Sequence, residues 1–230
     1  MISSDGVYSV VMQRILPFVY RFRKERLPFS LYMTALLSKL LSQDMKRQLL
    51  NWEPELKEKF RVQKGWTVLD VGANIGQWSV WLSEEVGENG MVIALEPDSG
   101  SFGWLRRNLR GRKNVRTVKV AAWSENGWVG FEPTHDFYHS RISSTSHFRV
   151  PTITIDSLVE KLGIGVANAI KVDVEGAEAN VLRGARKTLE KMKLVLVEIH
   201  DEGYSCAKIL VSLGFSVDKI DGRHLLGKKI

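Results

Sequence analysis

The sequence predicts an α/β fold in which a mostly parallel sheet carries helices on both faces. Three observations predict it. Short apolar runs of strand length recur from Thr67 onward, helical stretches separate them, and a glycine-rich turn follows the first run directly. Right-handed crossovers bring the carboxyl ends of such strands to one edge, where open sheets of this kind bind ligands. Functional residues are therefore sought just after strands.

Taken in order, residues 1–60 read as an N-terminal helical extension and residues 61–230 as the α/β domain. In the extension, Leu31, Ala35, Leu36, Leu40 and Leu41 recur at helical spacing, and Ser30 supplies an N-cap after Pro28. Asn51 and Pro54 punctuate the end, and Glu55 to Phe60 reads as a further short helix. The apolar run Val7 to Tyr20 is broken by Arg14 and Pro17 and falls short of the roughly 20 residues a spanning helix needs. No small-residue cleavage site follows it. Because Arg21, Arg23, Lys24 and Arg26 come next, a peripheral membrane contact stands beside packing on the domain or on a second subunit of an oligomer.

Within the domain, strands are expected at Thr67 to Val71, Met91 to Leu95, Val115 to Val120, Ala169 to Val174 and Lys193 to Ile199. Helices are expected at Trp78 to Glu85, Ser101 to Arg110 and Ala177 to Lys191. Gly127 to Glu132 and Arg149 to Ile155 read as an antiparallel pair joined by the loop 133–148. Phe215 to Ile220 and Leu225 to Lys229 flank Asp221-Gly222-Arg223-His224, a hairpin signature.

Composition sets the outer bounds. With 44% hydrophobic and 26% charged residues the chain is ordinary globular material. Its one cysteine, Cys206, excludes an internal disulfide framework and fits a cytoplasmic protein. The net charge of +7 suits a polyanion such as RNA, and Arg106, Arg107, Arg110, Arg112, Lys113 and Arg116 form the densest basic stretch. A solvated helix face is the default explanation of that stretch, and no RNA-binding module accompanies it.

The sharpest motif is Asp70-Val71-Gly72-Ala73-Asn74-Ile75-Gly76. Gly72 and Gly76 allow a tight turn and close backbone approach, and the helix that follows favours a carboxylate or phosphate at its start. Asp70, at the strand's end, is placed to hold an amino group. Glu96, in Ala94-Leu95-Glu96-Pro97-Asp98, lies 20 residues beyond Gly76 on the next strand end. An acid there accepts hydrogen bonds from both hydroxyls of a ribose. Together these elements describe a nucleoside joined to an amino acid. Asn74 stands where a dinucleotide fingerprint needs its second glycine, which disfavours a nicotinamide cofactor.

At these residues the sequence resembles the FkbM family of S-adenosylmethionine-dependent methyltransferases. The likeness runs from Val68-Leu69-Asp70-Val71-Gly72-Ala73-Asn74-Ile75-Gly76 through Ala94-Leu95-Glu96-Pro97 and Ala121-Ala122-Trp123-Ser124. It continues with Thr154-Ile155-Asp156-Ser157-Leu158, Ile170-Lys171-Val172-Asp173-Val174-Glu175-Gly176-Ala177-Glu178, Val181-Leu182-Arg183-Gly184-Ala185 and Val197-Glu198-Ile199-His200. It implies a class I, Rossmann-like fold with a mostly parallel seven-stranded sheet ending in an antiparallel hairpin. It also implies that S-adenosyl-L-methionine is the cofactor, with Asp70, Gly72, Ala73, Asn74 and Gly76 around its methionine part. Glu96 and Pro97 would lie at the ribose, Ala122 and Trp123 at the adenine, and Asp173 beside them. Trp123 would stack on the base or be a plain core aromatic.

Asp173, Glu175 and Glu178 follow the fourth parallel strand, and Glu198 and His200 end the fifth. Residues two apart on a strand share a face, so Asp173 would project with Glu175, and Glu198 with His200. His200 is the candidate base, since its intrinsic pKa lies near neutrality. Asp173 and Glu175 would orient an acceptor hydroxyl, or hold Mg²⁺ with Glu198; no metal is assigned. Glu178 reads as a first-turn residue stabilised by the helix dipole. The loop 133–148, with His135, Asp136, Phe137, Tyr138, His139, Arg141 and His147, reads as a lid or substrate-selecting insert. The expected reaction is O-methylation of a small molecule, glycan or lipid-linked precursor. An RNA methyltransferase and a non-catalytic cofactor-binding scaffold are the rivals.

Overall fold

The computed structural model describes residues 53–133, 141–143, 145–200 and 203–230. The chain divides into two units, residues 1–51 and 52–230. The first, with the expected helix over 31–41, the apolar run at 7–20 and the basic residues after it, lies outside the described residues. So do residues 134–140, and with them His135, Asp136, Phe137, Tyr138 and His139.

The second unit begins earlier than residue 61. Helix α1 (Pro54–Lys59) buries Leu56, and Phe60 after it, against Val68, Trp78 and Leu82, which ties this segment to the sheet. Next come β1 (Thr67–Val71), α2 (Gln77–Val86), β2 (Met91–Leu95), α3 (Ser99–Asn108) and β3 (Val115–Val118). A smaller all-β stretch follows: β4 (Ala121–Ala122), β5 (Gly127–Glu132), β6 (Arg141–Ile142) and β7 (Arg149–Ile153). The chain re-enters the main sheet through α4 (Ile155–Lys161), β8 (Ala169–Val172), α5 (Glu178–Arg183), α6 (Arg186–Lys191) and β9 (Leu194–Glu198). It finishes with α7 (Gly203–Ser212), β10 (Phe215–Lys219) and β11 (His224–Lys229).

The main sheet has seven strands in the order β10-β11-β9-β8-β1-β2-β3. The run from β9 to β3 is parallel, and β11 is antiparallel to both β9 and β10. Side chains alternate across it with period two. Leu69, Ile93, Ile170 and Val195 join the core layer under α4, α5 and α7, while Val68, Val92, Ala169 and Leu194 join the layer under α1 and α2. The class I topology and the helices on both faces are as the sequence predicts. The four-stranded sheet β4-β7-β5-β6 contains the expected antiparallel pair, with Val129 opposite Val150.

Two local expectations are corrected. Ala177 to Lys191 is not one helix. Gly184 packs so closely on the chain after β4 that a Cβ there would lie 2.1 Å from the Trp123 carbonyl oxygen. Asp156 then caps the new helix start, accepting from Lys187 N at 3.1 Å and Thr188 N at 2.8 Å. The strand read as Arg149 to Ile155 stops at Ile153, because Thr154 becomes the N-cap of α4 and accepts from Ser157 N at 3.0 Å.

Candidate active site

The glycine turn lies between the carboxyl ends of β1, β2 and β8. Gly72 and Gly76 hold φ of 78° and 95°, and Asn74 holds 49°. A Cβ on Gly72 would sit 1.7 Å from the Asp173 carbonyl oxygen, so only glycine lets the turn touch the end of β8. The N–H groups of Gly72 and Ala73 both donate to the Leu95 carbonyl, at 3.1 and 2.9 Å, and tie the turn to β2. Gly76 is the left-handed N-cap of α2.

Glu96 is buried just beyond β2. One carboxylate oxygen accepts from Asn74 N at 2.9 Å and the other from Asp98 N at 2.7 Å. Burial pushes its pKa up to about 7, against the opposing pull of those two N–H groups. Asp98 in turn caps α3, accepting from Ser101 N at 2.8 Å.

A cleft opens between these elements at the carboxyl edge of the sheet. Of the expected cofactor residues, Gly72, Asn74, Glu96, Pro97, Ala122 and Asp173 line it. Asp70, Ala73, Gly76 and Trp123 do not. Asp70 is fully buried on the α2 side of the sheet, where Ser79 Oγ donates to it at 2.5 Å and its other oxygen has no hydrogen-bond partner. Burial raises its pKa, opposed by neighbouring Lys171. Asp70 thus braces the start of α2 from below and does not line the cavity. Ala73 is buried with its N–H spent, and the Trp123 N–H donates to Ile153 in the second sheet.

Asp173, Glu175 and His200 do converge. Lys171 Nζ donates to Asp173 Oδ2 at 2.8 Å. Burial of Lys171 works against its charge, yet Asp173 and Asp70 outweigh this and hold it protonated. His200 Nδ1 lies 2.9 Å from Glu178 Oε1, and Nε2 lies 3.3 Å from Glu175 Oε2. The hydrogen bond to Glu178 is the main reason that the His200 pKa rises to about 9, despite partial burial, with Glu175 adding to it. This corrects the reading of His200 as a ready base near neutrality. Both ring nitrogens face carboxylates, so at pH 7 the ring is an imidazolium.

Glu198 does not join the cluster. It continues the Leu194 and Leu196 side of β9 and meets His224, whose Nε2 is 3.5 Å from Glu198 Oε2. His200 lies past the strand's end, where the two-residue repeat no longer applies. A Mg²⁺ site combining Asp173, Glu175 and Glu198 is therefore absent among the described residues.

Residues 70–218 match the family described as the methyltransferase FkbM domain. The chain belongs to this family. Among curated relatives of the FkbM domain here, a hexuronic acid methyltransferase from Haloferax volcanii is 34% identical over 134 residues, 57% of this chain and 54% of that protein. A 2-O-methyltransferase from Sinorhizobium fredii is 24% identical over 155 residues, 59% of this chain and 63% of that protein. The match thus spans less than two thirds of either relative. A crystal structure of methyltransferase FkbM from Methylobacillus flagellatus shares the fold with a TM-score of 0.50 at 15% identity, over 85% of this chain and 57% of that one.

The FkbM domain also uses residues that the sequence reading passed over. Phe131 and Ile142 line the cavity from β5 and β6, as does Arg141, which the sequence placed only in a lid-like loop. Glu178, which the sequence reads as a first-turn residue stabilised by the helix dipole, has more partners than that reading requires. It is fully buried, and Oε1 accepts from Gly176 N at 2.9 Å besides meeting His200. In the basic stretch, Arg112 is engaged by Ser83 Oγ and Glu84, and Arg107 stacks on Trp104. No described helix is long and apolar enough to cross a membrane.

Proposed function

We propose that the chain is an S-adenosylmethionine-dependent O-methyltransferase whose acceptor is a hydroxyl of a sugar or glycan. The observation that carries this reading is one cavity with the glycine turn and Glu96 on one side and Asp173 and Glu175 on the other. Each Glu96 oxygen accepts one backbone hydrogen bond and retains a lone pair, which suits the two hydroxyls of a ribose. Pro97 and Ala122, with Val120 and Phe131, offer apolar surface to a base. Asp70 with its unpaired oxygen holds the turn from beneath.

When bound, the cofactor supplies a methyl group on a sulfonium leaving group, so the chain's own task is alignment. Asp173 and Glu175 accept hydrogen bonds from the acceptor and fix its oxygen beside the cofactor space. His200, as imidazolium, holds Glu175 and Glu178 in place. The sugar acceptor is supported by the two curated relatives, one named for hexuronic acid and the other for 2-O-methylation. A carboxylate pair at the cavity wall suits a polyol, which presents adjacent hydroxyl donors. The small-molecule or glycan partner and a cytoplasmic setting, with the single cysteine Cys206 buried, belong to the same reading.

Two measurements test it. Calorimetry with S-adenosylhomocysteine should give one site per chain, weakened about 10- to 100-fold in Glu96→Ala. Methyl transfer to a panel of hexuronic acid and neutral hexose glycosides should yield an O-methyl product, located by NMR. Absence of cofactor binding, or methyl found on nitrogen or carbon, overturns the reading.

A further inference from the structure

We propose that Asp173, Glu175 and His200 bind one divalent first-row cation at the acceptor end of the cavity. One donor atom from each, two carboxylate oxygens and an imidazole nitrogen, lie within 4.8 Å of one another. Ligands held about 2.0–2.6 Å from a common ion are separated by up to about 4–5 Å, so the set closes with little movement. Imidazole with two carboxylates suits Mn²⁺, Zn²⁺ or a similar ion better than Mg²⁺, which prefers oxygen alone.

The surroundings are those of a metal ligand set. Histidine ligands usually give their second ring nitrogen to a carboxylate, which fixes the tautomer and aims the ring. Glu178 does this for His200: Oε1 lies 2.9 Å from Nδ1 and leaves Nε2 facing Glu175. Glu178 is wholly buried, and its Oε2 has no hydrogen-bond partner, a cost that a helix first turn does not require. Glu175 holds φ of 53°, a left-handed conformation that non-glycine residues adopt at a cost and that recurs at functional sites.

Three ligands on one side leave the remaining positions of the ion open toward the cavity that Asp173 and Glu175 line. Binding exchanges the His200 Nε2 proton for the ion. An acceptor hydroxyl on an open position is acidified there and releases its proton to water, so that its oxygen forms the new O–C bond as the S–C bond of the cofactor breaks. This role rests on the methyltransferase reading above, whereas the site itself does not.

The test is Mn²⁺ titration of the chelator-stripped full chain, with free Mn²⁺ followed by electron paramagnetic resonance, with and without S-adenosylhomocysteine. One saturable Mn²⁺ per chain is expected. Glu175→Gln and His200→Ala should weaken it more than tenfold, and Glu178→Gln should weaken it about 10- to 100-fold. Retained S-adenosylhomocysteine binding in His200→Ala shows that the variant is folded. Absence of a saturable site, or binding unchanged in both His200→Ala and Glu175→Gln, overturns the proposal. If wild type binds S-adenosylhomocysteine but no Mn²⁺, only the cation falls; if it binds no S-adenosylhomocysteine, the methyltransferase reading falls whatever Mn²⁺ does.

Discussion

Burial holds the Glu96 carboxyl at about 7, while a ribose hydroxyl needs the ionised form as its acceptor. The folded value exceeds the ordinary 4.5, so the fold binds this proton more tightly than the unfolded chain does. Stability contributed by the neutral form is complete below pH 4.5 and is lost as pH rises through 7, a loss of about 3 kcal/mol. Hydrogen bonds from a bound ribose return part of it. Affinity for S-adenosylhomocysteine should therefore rise about tenfold between pH 6 and pH 8, following the ionised fraction. Calorimetry at three pH values in that window checks this, and a flat profile would show that Glu96 does not meet the ribose. The glycine turn and Glu96 are legible in the sequence because their chemistry is local: a backbone that needs φ above zero, and an acid at the next strand's end. Glu178 is not legible. An acid in a helix's first turn already has a sufficient explanation, and only packing reveals that this one is buried against His200.

Among elements, those set by side-chain period can be read directly, and those set by tertiary contact cannot. Apolar runs give β1, β2, β8 and β9 to within one or two residues, since burial on both faces leaves a continuous apolar run. The break between α5 and α6 has no such pattern. It depends on Gly184 meeting the Trp123 carbonyl and on Asp156, 31 residues upstream, capping α6 from Lys187 N. Asp156 accepts three hydrogen bonds at that helix start, from Lys187 N, Thr188 N and Thr188 Oγ. Asp156→Ala removes all three at once. Caps of this kind are worth about 1–2 kcal/mol, so the urea midpoint should fall by that equivalent with the slope unchanged. A loss below about 0.3 kcal/mol would mean that the α4 to α6 junction is held by packing alone.

At the scale of the whole molecule, the antiparallel hairpin of β10 and β11 attaches to the parallel sheet through β9, and one buried histidine stands at that seam. His224 begins β11 opposite Glu198 on β9. Its Nδ1 lies 2.9 Å from Asp221 Oδ2, and its Nε2 lies 3.5 Å from Glu198 and 4.0 Å from Glu53, at the start of α1. Burial opposes charge on this ring, but Glu198 and Asp221 outweigh it and raise the pKa. Glu198 is held ionised mainly by the same hydrogen bond. Three segments far apart in sequence thus meet at one imidazole ring. With the folded pKa above 6.5, its stabilisation is complete below 6.5 and is lost as pH climbs through the folded value. His224→Leu removes the cation between Glu198 and Glu53 and leaves Glu198 with the exposed Arg223, 3.3 Å away, which should cost about 2 kcal/mol at pH 6, or roughly 4–8 °C in Tm. The penalty should shrink as pH rises through the folded pKa of His224, where the wild-type ring itself loses its proton. Thermal melts of both proteins from pH 5 to pH 9 distinguish this from simple repacking, for which the gap would be the same at every pH.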